Sequence, residues 1–154
     1  MTSNREQFFA SDVERICEVK RNRLQTWIER GWIIPSIQKG EGSGYKNIFS
    51  LTDLLSISFF KQAIESGISR DAAAKFLEIF QKTESELFPD KEQWAKMLKP
   101  VYYLFFRQGK MVSGHSYIRQ GQETTFIKTL EATQADDVIG INVSKLRKRI
   151  LERV

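Results

Sequence analysis

The chain opens with apolar residues spaced as in helices. Val13, Ile16 and Cys17 fall three and four positions apart, as do Leu24, Trp27 and Ile28. Residues at that spacing share one face, because 3.6 residues make a helical turn. Ser11-Asp12-Val13-Glu14 fits a capping box that begins the first helix at Ser11, with serine and glutamate each satisfying a free N–H of the first turn. A second helix is expected from near Asn22, with Gln25 as a weaker cap of the same type. Gly31 suits the left-handed position that ends a helix, and Pro35 prevents a restart. Two short helices with facing apolar stripes and a tight connection predict a helix-turn-helix.

Beyond Pro35 the pattern changes. Ile33-Ile34 and Ile48-Phe49 read as short strands around Gln38 to Asn47, where Gly40, Gly42 and Gly44 allow a tight reversal, so a wing is expected. Ser50-Leu51-Thr52-Asp53 is a second capping box, opening a helix through Leu54, Leu55, Ile57, Phe60 and Ile64 that Gly67 ends. Ser69 caps a fourth helix with Ala73, Phe76, Leu77 and Phe80 on its buried face. Further on, Val101 to Arg107 and Met111 to Ile118 read as two strands joined at Gln108-Gly109-Lys110, and Asp136 to Val143 reads as a third. Between them and the fourth helix, "EQWAKML" suggests one more short helix. The chain closes on a helix with Val143, Leu146, Ile150 and Val154 on one side, and Lys145, Arg147, Lys148, Arg149 and Arg153 as its basic remainder. The expected class is α+β. A winged helix-turn-helix of about four helices spans residues 1–84, a connector 85–99, and a small C-terminal α/β part of about three strands and a terminal helix 100–154.

Composition narrows the chemistry. The chain has 154 residues, 41% hydrophobic and 28% charged, as expected of a globular protein. No apolar run is long enough to span a bilayer and the N-terminus has no signal-peptide pattern, so a soluble cytoplasmic protein without a membrane partner is expected. With one cysteine, Cys17, and one histidine, His115, neither an internal disulfide nor a zinc site of several Cys and His ligands can form. Cys17, on the apolar face of the first helix, reads as a small buried thiol. His115 and Ser116 are adjacent in a strand and point to opposite faces, so they make no catalytic pair. Tyr102, Tyr103, Phe105 and Phe106 read as core before they read as a ligand pocket. Without a convincing nucleophile–base pair or cofactor pattern, a non-enzymatic role is expected.

The net charge of +5 permits a polyanionic partner, and its distribution says more. Seven basic residues face three acidic ones between Arg15 and Lys46, whereas four face five between Asn47 and Glu84. In a helix-turn-helix the start of the second helix meets base edges in the major groove. Arg21, Asn22, Arg23, Gln25 and Thr26 suit that role, because arginine can bind guanine, and asparagine or glutamine adenine, in bidentate fashion. Lys20 and Arg30 bracket this helix, while Trp27 and Trp32 read as scaffold. On the wing, Lys39, Tyr45, Lys46 and Asn47 are candidates for phosphate or minor-groove contacts, which position a protein without reading sequence. "GEGSGYK" lacks the Gly-Lys-Ser/Thr ending of a nucleotide-binding loop.

The ordered set Leu24, Trp27, Gly31, Trp32-Ile33, Pro35, Gly44-Tyr45-Lys46, Phe49-Ser50, Asp53-Leu54 and Gly67-Ile68-Ser69 resembles the N-terminal domain of MerR-family transcriptional regulators, over roughly Phe8 to Phe80. Gln25, Thr26 and Lys46 stand where that pattern has an arginine, an aromatic and an arginine. The family's paired sensor cysteines and its long dimerisation heptad have no counterpart here. The resemblance implies a sequence-specific regulator of double-stranded DNA. A homodimer is expected, since one short recognition helix gives limited specificity, and the C-terminal part would dimerise or take a small-molecule or protein effector. Two other readings stay open: an excisionase-like factor that bends DNA, and a ligand- or protein-interaction module whose winged domain has lost DNA binding.

Overall fold

The computed structural model describes residues 6–41, 44, 46–88, 92–96, 100–119 and 121–154. Helices come first: α1 (Ala10–Cys17), α2 (Arg21–Glu29), α3 (Leu51–Glu65), α4 (Arg70–Leu87) and the short α5 (Gln93–Lys96). Strands β1 (Val101–Gln108) and β2 (Met111–Arg119), helix α6 (Glu123–Thr133), strand β3 (Asp137–Asn142) and helix α7 (Val143–Arg153) follow. The class is α+β, with a three-stranded antiparallel sheet of order β2-β1-β3.

The first two helices pair through the expected stripes: Val13, Ile16 and Cys17 on α1, and Leu24, Trp27 and Ile28 on α2, are all buried. Their starts differ from expectation. The cap residue of α1 is Phe9, whose side chain has no acceptor, and the free amide of Phe9 instead donates to Asp12 Oδ2 at 2.8 Å. Ser11 lies inside the first turn, so the Ser11–Glu14 box does not form. The carboxylate three residues after the cap is Asp12. Helix α2 begins at Arg21, with Lys20 as a cap residue that makes no side-chain bond. Gln25 does not cap; its Nε2 donates along the helix to Glu29 Oε1 at 3.1 Å.

Gly31 ends α2 as expected, at φ +75°, the left-handed region that glycine adopts without a Cβ penalty. Gly31 N–H donates to the Ile28 carbonyl and Trp32 N–H to the Trp27 carbonyl, each at 3.0 Å, which closes a Schellman motif. Past Pro35 the expected strand pairing changes partners. Ile33 and Ile34 lie in no strand; Gln38 bridges Ile48, and Phe49 bridges Phe8 from the segment before α1. The loop is thus short-legged, and Phe8 fastens its returning end to the core.

The Ser50–Asp53 box forms in both directions, at 3.2 and 2.9 Å. Asp53 Oδ2 also accepts from the Ser36 amide at 2.8 Å and the Ser36 hydroxyl at 2.7 Å. One carboxylate therefore ties together the two ends of the wing. Helix α3 is buried nearly all round: Leu54, Leu55, Ile57, Phe59, Phe60 and Ala63 all lie in the core, as a central helix requires. Phe59 stacks on Phe80 of α4 at 4.0 Å between ring centroids and meets Tyr103 of β1 edge-on at 5.1 Å. Ala73, Phe76, Leu77 and Phe80 are the buried face of α4, as expected.

In the sheet, Tyr103 lies between Tyr117 of β2 and Ile141 of β3 in register. Tyr103, Phe105 and Ile141 belong to the same buried cluster as the N-terminal helices. On the other face, Phe106 meets Phe126 of α6 at 6.2 Å. The sequence pattern does not foretell α6, whose residues include none that is fully buried. Helix α7 packs on α1, α3, α5 and β1 through Val143, Leu146 and Ile150. Its expected basic remainder needs one correction: Arg147 is buried, ion-paired with Glu84 of α4, and donates to Tyr117 Oη at 2.9 Å. Among the described residues no helix is long and apolar enough to cross a membrane.

Candidate nucleic-acid interface

Burying Leu24, Trp27 and Ile28 turns the rest of α2 outward. Lys20, Arg21, Asn22, Gln25, Thr26 and Arg30 are exposed, and Arg23 is half-buried because its guanidinium lies 4.9 Å from the centroid of the Trp27 ring. The sequence candidates on this helix therefore form one solvent-facing group. Trp27 is core, as read, and Trp32 is partly covered, 5.9 Å from Phe60 between ring centroids.

Several of these side chains already have partners. Arg21 pairs with Glu14 of α1 at 3.2 Å, and Gln25 with Glu29. Thr26 Oγ1 donates to the Asn22 carbonyl at 3.0 Å, while Asn22 Oδ1 accepts from the Arg23 amide at 2.8 Å. All are exposed, and such pairs contribute little to stability. A polyanion can displace them at small cost. The Arg23–Trp27 stacking instead holds one guanidinium against the scaffold, which lowers the entropy lost on contact.

The wing candidates divide. Lys39 and Lys46 are exposed, and Lys46 Nζ sits 5.9 Å from the Phe9 ring centroid. Asn47 acts within the protein, where its Oδ1 accepts from the Gly40 amide at 2.8 Å and braces the loop. Gln38 Nε2 donates to the Lys46 carbonyl at 3.0 Å and adds a second brace. Tyr45 and Gly42 lie outside the described residues. Sequence reasoning missed two apolar residues here, Ile34 at 69% and Ile37 at 42% exposure. Their adjacency to Pro35 was the available signal, because a chain leaving a helix toward a loop cannot bury every side chain it carries.

The turn between α1 and α2 has a further tie that the sequence pattern did not disclose. Glu18 ends α1 at φ +57°, an uncommon conformation for a non-glycine residue. Arg153 of α7 pairs with Glu18 at 3.4 Å and donates to the Ile16 carbonyl at 2.9 Å. The guanidinium satisfies a helix C-terminus and offsets its negative end.

Other candidate chemistry is inert in this arrangement. Cys17 is buried, its thiol pushed up to about 11 by desolvation, far from a reactive thiolate. His115 lies against Phe76, 4.8 Å between ring centroids, and burial holds its pKa below the ordinary value. Among the described residues no three of His, Cys, Asp and Glu come together as a metal site would need. No protein-family model and no curated protein sequence matches the chain.

Proposed function

We propose that this protein is a sequence-specific DNA-binding transcriptional regulator of MerR type. It would read the major groove with α2 and brace itself on phosphates with the loop after Pro35. The observation that carries the reading is the polar row of α2 from Lys20 to Arg30, exposed on a helix whose other face is locked into the core. The Schellman turn at Gly31 and the Asp53 carboxylate then hold a lysine-bearing loop directly after that helix. Arg23, Asn22 and Gln25 supply base-reading chemistry; Lys39 and Lys46 supply phosphate contacts. Two half-sites read by a homodimer give the specificity that one short helix lacks.

Electrophoretic mobility shift against selected genomic fragments tests this, at several salt concentrations, with wild type and Arg23→Ala. Affinity should fall steeply with salt, and Arg23→Ala should weaken specific binding by about 1–3 kcal/mol. Binding that ignores both salt and the substitution would sink the proposal.

The exposure of Ile34 and Ile37 beside the wing favours one second reading, an architectural factor that wedges apolar side chains between base steps. In that case bound fragments would show strong bending in circular-permutation gels, with little effect on promoter output.

A further inference from the structure

A cavity of about 600 Å³ opens between the start of α3 and the second half of α4, with Trp94 of α5 also in its lining. That volume lies in the range of roughly 300–1,000 Å³ usual for small-molecule sites. Its lining has two chemical characters. Phe80, Phe88 and Trp94 supply aromatic surface, and Asp53 and Glu84 supply carboxylates. Among the described residues no lysine, arginine or histidine lines it.

The carboxylates are not equivalent. Glu84 is matched by Arg147, which binds its Oε1 together with Tyr117, and its Oε2 has no protein partner among the described residues. Asp53 accepts only from neutral donors of Ser36 and Ser50, all at Oδ2, which leaves Oδ1 without a protein partner among the described residues. Among the described residues the Asp53 charge thus has no cationic side chain against it, and the partial positive end of α3 offsets only about half of it. Beside Asp53 an anionic ligand would meet like charge. A cation would meet the open Oδ1 of Asp53, while Phe88 and Trp94, which already face the Arg147 guanidinium at 4.6 and 5.9 Å to their ring centroids, offer apolar surface.

We propose that this cavity binds an organic amine, its apolar body against Phe80, Phe88 and Trp94 and its protonated nitrogen held by Asp53. The site is built into a junction. The Asp53 carboxylate that meets the ligand also fixes Ser36 and Ser50, one at each end of the wing. Occupancy therefore changes the wing's anchorage and with it the affinity for DNA. This regulatory step rests on the DNA-binding reading, whereas the binding step does not.

The probe is tryptamine, titrated calorimetrically into the full chain without DNA. Its neutral analogue tryptophol and its anionic analogue indole-3-propionate are run beside it. Tryptamine should bind at least roughly tenfold more tightly than tryptophol, and the propionate should give no heat. Ser85 is exposed and lines the cavity, so Ser85→Lys should weaken the amine roughly tenfold and Ser85→Asp should tighten it, both with an unchanged melting temperature. Equal binding of tryptamine and tryptophol, preference for the propionate, or no heat at millimolar amine would overturn the site. So would indifference to both Ser85 variants. The mobility-shift titration is then repeated with saturating tryptamine. Amine binding with unchanged DNA affinity removes the regulatory step alone. A chain that binds the amine but no DNA at any salt refutes the DNA-binding reading and leaves the site standing.

Discussion

At the scale of single residues, Arg147 is the clearest case of a side chain whose chemistry and position conflict. It is 1% exposed, and it rests on Glu84 and Tyr117 with Phe88 and Trp94 beside its guanidinium, 4.6 and 5.9 Å to their ring centroids. Removing one member of a buried ion pair strands the other charge, so Arg147→Ala should cost about 3–5 kcal/mol. Tyr117→Phe removes two hydrogen bonds, one donated to Glu84 and one accepted from Arg147, and should cost about 2–4 kcal/mol. The pair Glu84→Leu with Arg147→Met should recover most of the loss, because both charges leave the interior together. Urea denaturation followed by circular dichroism measures all three. An Arg147→Ala protein within about 1 kcal/mol of wild type would mean that water reaches the pair. The signal was present in the sequence: Arg147 sits on the stripe Val143, Leu146, Ile150, and Glu84 continues the stripe Leu77, Phe80. Charge argued for solvent and periodicity for the core, and periodicity prevailed because the two charges satisfy each other.

Among elements, legibility followed how strongly a pattern was enforced by burial. The two-faced helices α1, α2 and α4 were visible because one stripe is buried and the opposite face is wet. The sheet was visible because β1 is a run of aromatic and branched residues and Gly109 turns it into β2. Helix α6 was not, since its helically spaced Phe126, Ile127 and Leu130 are interspersed with threonines at positions 124, 125, 129 and 133, which lower helix propensity, and it buries no residue fully. The wing's partners were misjudged for a related reason: apolar neighbours at Ile33-Ile34 resemble a strand, but the chain is still leaving the Schellman turn there. That turn supports a clean test. Glycine at position 31 holds φ +75°, and a Cβ there would meet nothing within 4 Å, so the cost of Gly31→Ala is conformational alone. It should amount to about 1–2 kcal/mol. Each kcal/mol corresponds to roughly 2–4 °C in a chain of this size. Thermal unfolding measures it, and an unchanged midpoint would show that the turn relaxes to another conformation. Among the candidate interface residues the exposed row on α2 was readable from the stripe it leaves bare. The tie from Ser36 to Asp53 was not, because a 17-residue separation has no local signature.

For the whole molecule, the helices of the N-terminal half and the sheet with its terminal helix share one hydrophobic cluster, running from Phe8 through Phe59 and Tyr103 to Ile150. Helix α7 is the last element in chain order, and it packs on both α1 and α3. Its buried residues Val143, Leu146 and Ile150 would each leave an exposed apolar site behind if the helix were removed. Burying such a side chain stabilises by about 1.5–3 kcal/mol, and a domain has only about 5–15 kcal/mol in total. A chain ending at Asn142 should therefore lose the cooperative unfolding of its N-terminal helices as well as of its sheet. In the intact protein, heat or urea should give one transition. Trp27 and Trp32 sit beside Phe60 under the helix-turn-helix, so a Trp94→Phe variant reports that half by fluorescence, while far-UV circular dichroism reports every helix and strand. Coincident curves, and a truncated chain with no fluorescence transition, are expected. Two separated transitions, or a truncated chain whose Trp27 and Trp32 signal still melts at the original midpoint, would show instead that the helix-turn-helix keeps a core of its own.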